Sequence, residues 1–280
     1  MPDVSFISGT IESRPSQKPG LTTPTIAIVI VARDAADHLA EAFTSILDQT
    51  RAPDEVVFFN DASTDESLSI AEGFQDRLPN LTILSSSETV GISKARNQAN
   101  ASVTSEYIAV LDADDLLAPE ALAHFYTALE ENPEAGLLYA DTCVFSESPT
   151  QGKVLHYPSF ETSGAGIRAT LGAPRLPMKH SSFLYKRCTF EDLGGYDESL
   201  PIKVDVDLFL RFLHRDCPVV KLDAVTSYHR KHLGQISRKR LTGLRIYSQL
   251  ASRYEPNPFI RTLLILSRTF AEVGKLFLRG

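Results

Sequence analysis

Three carboxylates within four residues, Asp112, Asp114 and Asp115, close the apolar run Tyr107-Ile108-Ala109-Val110-Leu111. Neighbouring carboxylates repel one another and are costly to take out of water, so a buried strand that delivers them together calls for positive charge among them. A divalent cation meets that need, and hard oxygen donors of this kind suit Mg or Mn. The competing reading is structural, because acids also crowd strand-to-helix connections as caps, and Pro119-Glu120 has the composition of a helix start. Other acids follow other apolar runs: Asp34 after residues 25–32, and Asp61 and Asp65 after residues 55–59. Each of these, taken singly, also fits a turn or a helix cap.

The elements that must position these side chains can be read from periodicity. Residues 25–32 are almost wholly apolar and β-branched, the signature of a strand buried on both faces in a parallel sheet. From Asp37 the spacing of Leu39, Ala42, Phe43, Ile46 and Leu47 is helical, and residues 55–59 form the next strand, which completes a right-handed βαβ unit. The alternation continues with a helix at 67–74, a strand at 81–84, a helix at 91–101 carrying Lys94, Arg96 and Asn97, the strand at 107–111 and a helix at 119–131. In such α/β sheets ligands bind beyond the carboxyl ends of the strands, and Asp34, Asp61 and Asp112 all fall at that edge.

With 280 residues and a net charge of −7, the chain is a soluble globular protein of one large domain or two small ones. Residues up to Tyr185 carry about 14 more acidic than basic side chains, and those from Lys186 onward about 7 more basic than acidic. An acidic half facing a basic half suits a cleft where a metal meets a phosphate, and it argues against a nucleic-acid partner. Cys143, Cys188 and Cys217 match no ligand spacing and read as reduced core thiols of a cytoplasmic protein. The first 24 residues show no signal peptide and read as a loosely ordered tail. Residues 146–177 read as an irregular insertion. In the final segment Phe259, Leu263, Leu264, Leu266, Phe270, Val273, Leu276 and Phe277 recur helically, with Arg261, Arg268, Lys275 and Arg279 between them. Such a helix either packs on its own domain or makes peripheral contact with an anionic membrane surface through 259–279, at the inner face of the cell membrane.

The ordered set Ile28-Val29-Ile30-Val31-Ala32-Arg33-Asp34, Asn60-Asp61-Ala62-Ser63-Thr64-Asp65, Gly91-Ile92-Ser93-Lys94-Ala95-Arg96-Asn97 and Leu111-Asp112-Ala113-Asp114-Asp115 resembles a family 2 glycosyltransferase of the GT-A fold. More thinly, Gly194-Gly195-Tyr196-Asp197-Glu198 followed by Asp205-Val206-Asp207 is similar to that family's acceptor-side segment, and residues 228–237 to its closing loop. The resemblance implies a Rossmann-like, mostly parallel sheet flanked by helices over residues 25–240. Residues 25–125 would be the nucleotide-sugar half, 126–240 the acceptor half and 241–280 a helical extension. It implies inverting transfer of a sugar from a nucleotide-diphosphate donor, UDP-sugar first among them, to a hydroxyl of a glycan, lipid-linked or protein acceptor in surface polysaccharide or glycoconjugate synthesis.

The resemblance also assigns roles. Asp114 would hold Mg or Mn, with Asp112 near both ribose and metal. Asp61 and Asp34 would line the base pocket, Arg96 would meet base or phosphate, and His232 would approach the diphosphate. Asp115 would stand behind Asp114 or cap a helix, and His180 is either an acceptor-side or a structural residue. An acceptor hydroxyl needs a carboxylate to take its proton, and Asp205 is the candidate with Asp207 its competitor. The family's usual Glu before that acid is Val204 here, and Val31, Arg33 and Asn60 also depart from the common pattern. These departures leave open a catalytically silent nucleotide-sugar binding protein of the same fold.

Overall fold

A computed structural model describes residues 23–232 and 240–277. Most of the expected tail, residues 233–237 of the expected closing loop and residues 278 and 279 of the final segment lie outside the described residues. The expected nucleotide half, residues 25–125, opens with β1 (Ile26–Ala32), α1 (Ala36–Leu47), β2 (Glu55–Asn60), α2 (Ser67–Glu72), β3 (Leu81–Ser85), α3 (Ile92–Ala101) and β4 (Tyr107–Asp112). There follow β5 (Leu116–Leu117), α4 (Ala121–Glu131), β6 (Leu137–Phe145), β7 (Lys153–Leu155), α5 (Ser163–Gly172), β8 (Leu184–Lys186), α6 (Arg187–Asp192), α7 (Val204–His214), β9 (Val219–Arg230), α8 (Arg240–Tyr254) and α9 (Pro258–Phe277).

All described strands join one sheet in the order β3-β2-β1-β4-β8-β6-β9-β5, with β7 added on β6. The first four strands are parallel; the apolar interiors of β1, β2 and β4 suit burial from both sides, while β3 is the half-exposed edge. Ala27 and Val29 of β1 face one core layer and Ile26, Ile28 and Ile30 the other, so the strand is buried from both sides. Beyond β4 the sheet becomes mixed: β8 is antiparallel to β4 and β6, β9 is parallel to β6, and β5 is antiparallel to β9. The far part of the sheet therefore departs from the mostly parallel expectation. Its strands β5, β7 and β8 are two or three residues long, too short for periodicity to reveal.

Residues 146–177 are not wholly irregular, contrary to the expectation. They hold β7 and α5, and α5 starts at Thr162, whose side chain accepts the Ala165 N–H at 3.2 Å. Gly166 brings α5 against Leu213 of α7, where an added Cβ would stand 3.0 Å from Cδ1. The final segment forms α8 and α9. Ile246, Tyr247, Leu250 and Tyr254 of α8 join the core layer that also contains α7. Among the described residues no helix is long and apolar enough to cross a membrane.

Candidate functional site

The carboxyl ends of β1, β2 and β4 meet the start of α3 and the loop before β8. Asp34 follows β1 with φ +50°, and its carboxylate accepts the Thr64 N–H at 2.8 Å. It is exposed and ties the β1 end to the β2 end. Asp61 follows β2, is 4% exposed, and accepts N–H groups from Val90 at 2.7 Å and Gly91 at 3.1 Å. Gly91 has φ +89°, the left-handed region where a side chain is strained, and it lets the chain turn into α3. Asp61 thus anchors the helix that carries Arg96.

Asp112, the last residue of β4, lies in a cationic clasp. Arg96 Nη2 is 2.6 Å from its Oδ1, and His180 Nδ1 is 3.1 Å from the same oxygen. Burial alone would push the Asp112 carboxyl up, yet the charges of His180 and Arg96 override it and hold the group far below the usual carboxylate range. His180 Nε2 meets the Tyr196 hydroxyl at 2.9 Å, and the Tyr185 hydroxyl lies 3.3 Å further on. Burial lifts the Tyr196 phenol to about 12, so it stays protonated.

Asp114 is under the opposite pressure. Burial, followed by the charges of Asp115 and Asp112, pushes its carboxyl up. Its partner is His232, with Nε2 2.8 Å from Oδ2, and the His38 ring stands edge-on to the His232 ring at 5.2 Å. Asp115 is fully buried and held by the Ser181 hydroxyl, by His229 Nδ1 at 2.8 Å and by the Arg230 N–H at 3.1 Å. Lys179 Nζ, which can only donate, gives a hydrogen bond to His229 Nε2 at 2.9 Å, so the His229 proton sits on Nδ1 toward Asp115. Arg230 crosses to Glu41 of α1 at 2.7 Å, tying β9 to the nucleotide half.

Asp205 stands on the first turn of α7, which begins after Lys203 at φ +64°. Its charge helps hold the Arg96 guanidinium up and acts on Lys203, whose ammonium burial pushes down. Asp207 points elsewhere. It is fully buried, paired with Arg211 at 2.8 Å and Arg253 at 3.1 Å, and accepts the Tyr254 hydroxyl at 2.9 Å. Asn97, one residue after Arg96, accepts the Tyr196 N–H at 2.8 Å and donates to Glu198 at 2.9 Å. It pins the acceptor-side loop to α3.

The structure therefore brings Asp112, Arg96, Asp114 and His232 together, with Asp61 and Asp34 at the same edge and Asp205 close enough for its charge to act on Arg96. Sequence reasoning assigned no role to Lys179, His229 or Asn97 and left His180 undecided between acceptor-side and structural. The signal for Lys179 and His180 was a polar run, Lys179-His180-Ser181-Ser182, between apolar stretches, whereas Asn97 and His229 lay inside motif segments that gave them no individual role. Surface cavities of about 380 and 480 Å3 lie beside Glu198 and Arg253 and at the opposite strand ends beside Asp54 and Glu55. Neither of these two cavities is lined by Asp112 or Asp114.

Among the described residues no group of three or more His, Cys, Asp or Glu side chains is arranged to hold a metal by itself. The donor chemistry still fits a divalent ion in part. Asp114 is an oxygen donor under electrostatic pressure to acquire a cation, whereas one Asp112 oxygen is already engaged by Arg96 and His180.

The family model for glycosyl transferase family 2 matches residues 27–193. The succinoglycan biosynthesis protein ExoU of Rhizobium meliloti is 28% identical over 251 residues, covering 80% of this chain and 71% of its own. The amylovoran biosynthesis glycosyltransferase AmsE of Erwinia amylovora is 25% identical over 255 residues, 89% of this chain and 93% of its own. Among solved structures, S. aureus TarS 1-349 in complex with UDP-GlcNAc superposes with a TM-score of 0.67 at 17% identity, over 89% of this chain and 73% of that one. The mannosyltransferase PcManGT from Pyrobaculum calidifontis, in complex with GDP-Man and Mn2+, gives 0.64 at 17% identity, over 90% and 70%.

Proposed function

The chain belongs to glycosyl transferase family 2, and from that premise we propose that it moves a sugar, with inversion, from a UDP-sugar to an acceptor hydroxyl in the synthesis of a surface polysaccharide or glycoconjugate. The observation that carries this reading is the meeting of the Asp112–Arg96–His180 clasp, the Asp114–His232 pair and Asp205 at one sheet edge. The polysaccharide-biosynthesis relatives support the pathway class, and the bound UDP-GlcNAc of one structural neighbour supports the nucleotide.

In this reading Asp61 and Asp34 border the base and Asp112 borders the ribose. Arg96, held in place by Asp112, faces the donor from α3. Asp114 would hold Mg or Mn together with the donor's phosphates, and that ion supplies neutralising charge for the leaving diphosphate. Lys179 adds positive charge at the same end of the donor, and His232 offers a ring N–H there. Asp205 takes the proton of the attacking hydroxyl as the new glycosidic bond forms and the bond to phosphate breaks. Asp207 is unsuited to that task, because three partners already hold it inside the fold. The free thiols Cys143, Cys188 and Cys217 support a cytoplasmic setting for the reaction.

Titration calorimetry of UDP with and without Mn tests the assignment. UDP should bind appreciably tighter with the metal, and Asp114→Ala should erase the difference. Binding that ignores both the metal and the substitution would sink the reading.

A further inference from the structure

The outward face of α9 is apolar. Phe259 is 73% exposed, Leu263 51%, Leu266 48%, Phe270 74% and Val273 40%. They succeed one another at steps of four, three, four and three residues, the narrow seam along which two helices pack rather than the broad face of a helix lying in lipid. The bordering residues Ile260, Thr262, Ser267 and Thr269 carry no charge. The helix's cations stand behind the seam. Arg268 is buried, donates to the Tyr247 hydroxyl at 2.6 Å and lies near Glu272, and Arg261, seven residues earlier, shares its side of the helix. A helix resting on anionic lipid carries Lys and Arg on the polar face that borders its apolar one. In α9 the face behind the seam is instead packed on α5 and α8.

We propose that α9 is the surface through which two copies of this chain associate, α9 against α9 about a twofold axis. Covering the five side chains on both copies removes on the order of 1,000 Å2 from water, the area at which a specific interface begins. The helices run antiparallel, which opposes their macrodipoles. In that arrangement Leu266 meets the partner's Leu266 on the axis, Leu263 meets the partner's Phe270, and Phe259 meets the partner's Val273, large against small. The proposal is independent of the transferase reading, since none of these residues belongs to the site.

Sedimentation of the full chain across a concentration series tests it. The wild type should dimerise, and Leu266→Lys, which sets two ammonium groups face to face, should weaken the dimer at least roughly ten-fold. Leu263→Lys alone and Phe270→Glu alone should do the same. The two together in one chain should restore dimerisation, because each introduced lysine then meets an introduced glutamate. Melting temperatures of the variants should match that of the wild type at concentrations where it is monomeric, since the substituted side chains are exposed in one copy, and should fall below it only where the wild type is dimeric. A wild type that is monomeric throughout, or a dimer indifferent to Leu266→Lys, overturns the proposal. A monomer that floats with vesicles of equal parts phosphatidylglycerol and phosphatidylcholine, and loses this with Phe270→Glu, overturns it in favour of a lipid surface.

Discussion

Asp112 and Asp114 stand two positions apart and are under opposite electrostatic pressure. The folded state holds the Asp112 carboxyl low, so its contribution to stability is present above the ordinary carboxylate range and fades as pH falls through and below it. Asp114 is pushed up, so its ionised form costs stability at neutral pH, and the cost is relieved as pH falls toward its folded pKa. Asp114→Asn should therefore raise the stability of the ligand-free protein by roughly 0.5–1 kcal/mol, a gain of the kind seen when a functional residue is removed. Differential scanning fluorimetry reads that gain, and the same variant should lose metal-dependent UDP binding. For Asp205→Asn the expected outcome is different: UDP affinity unchanged and kcat down about 10²–10⁴-fold, measured by UDP release with an acceptor extract. An unchanged kcat would remove Asp205 from the base role.

At the level of elements, α7 and the loop before it separate structure from chemistry. Asp207, two residues after Asp205, joins α7 to α8 through Arg211, Arg253 and Tyr254. Asp207→Ala leaves the partly buried Arg211 and the Tyr254 hydroxyl without their carboxylate and should cost about 2–4 kcal/mol in urea unfolding. Gly195 has φ +70°, and a Cβ there would stand 2.7 Å from Asn97 Oδ1. Gly195→Ala should cost about 1–3 kcal/mol and, by shifting Tyr196 against His180, lower kcat more than it raises KM for the donor. Much of this architecture was legible in the sequence. β1, β2 and β4 are apolar throughout because both faces are buried, and Asp34, Asp61, Asp112, Asp114, Asp205 and His232 stand out as polar residues closing apolar runs or motif segments. The rest was not legible for physical reasons. β5, β7 and β8 are two or three residues long, too short for an alternation to repeat, and the bonds of Lys179 to His229 and of Asn97 to Tyr196 join residues 50 and 99 positions apart.

Across the molecule, side-chain contacts join residues on either side of position 240. Tyr254 and Arg253 of α8 satisfy Asp207, Arg168 of α5 pairs with Glu255 at 3.0 Å, and Arg268 of α9 reaches the α5 end at Ala173. A chain ending at residue 239 should accumulate as insoluble material or lack a cooperative unfolding transition, and a soluble fragment with a sharp transition would show that α8 and α9 are a separable addition. The sheet adds a constraint of its own. Only residues 113–115 separate β4 from β5 along the chain, yet β5 pairs at the opposite end of the strand order, so the sheet curls back upon its own central strand. The acids occupy that short bridge, and their partners arrive late: His232 is 118 positions from Asp114, and Arg230 is 189 from Glu41. Contacts of such separation form after local ones. On the ribosome, the strands from β1 to β4 can emerge and fold before β9 is made, whereas the Asp114–His232 pair must wait for residue 232. The polar cluster at this sheet edge is thereby completed only after the strands that carry its acids.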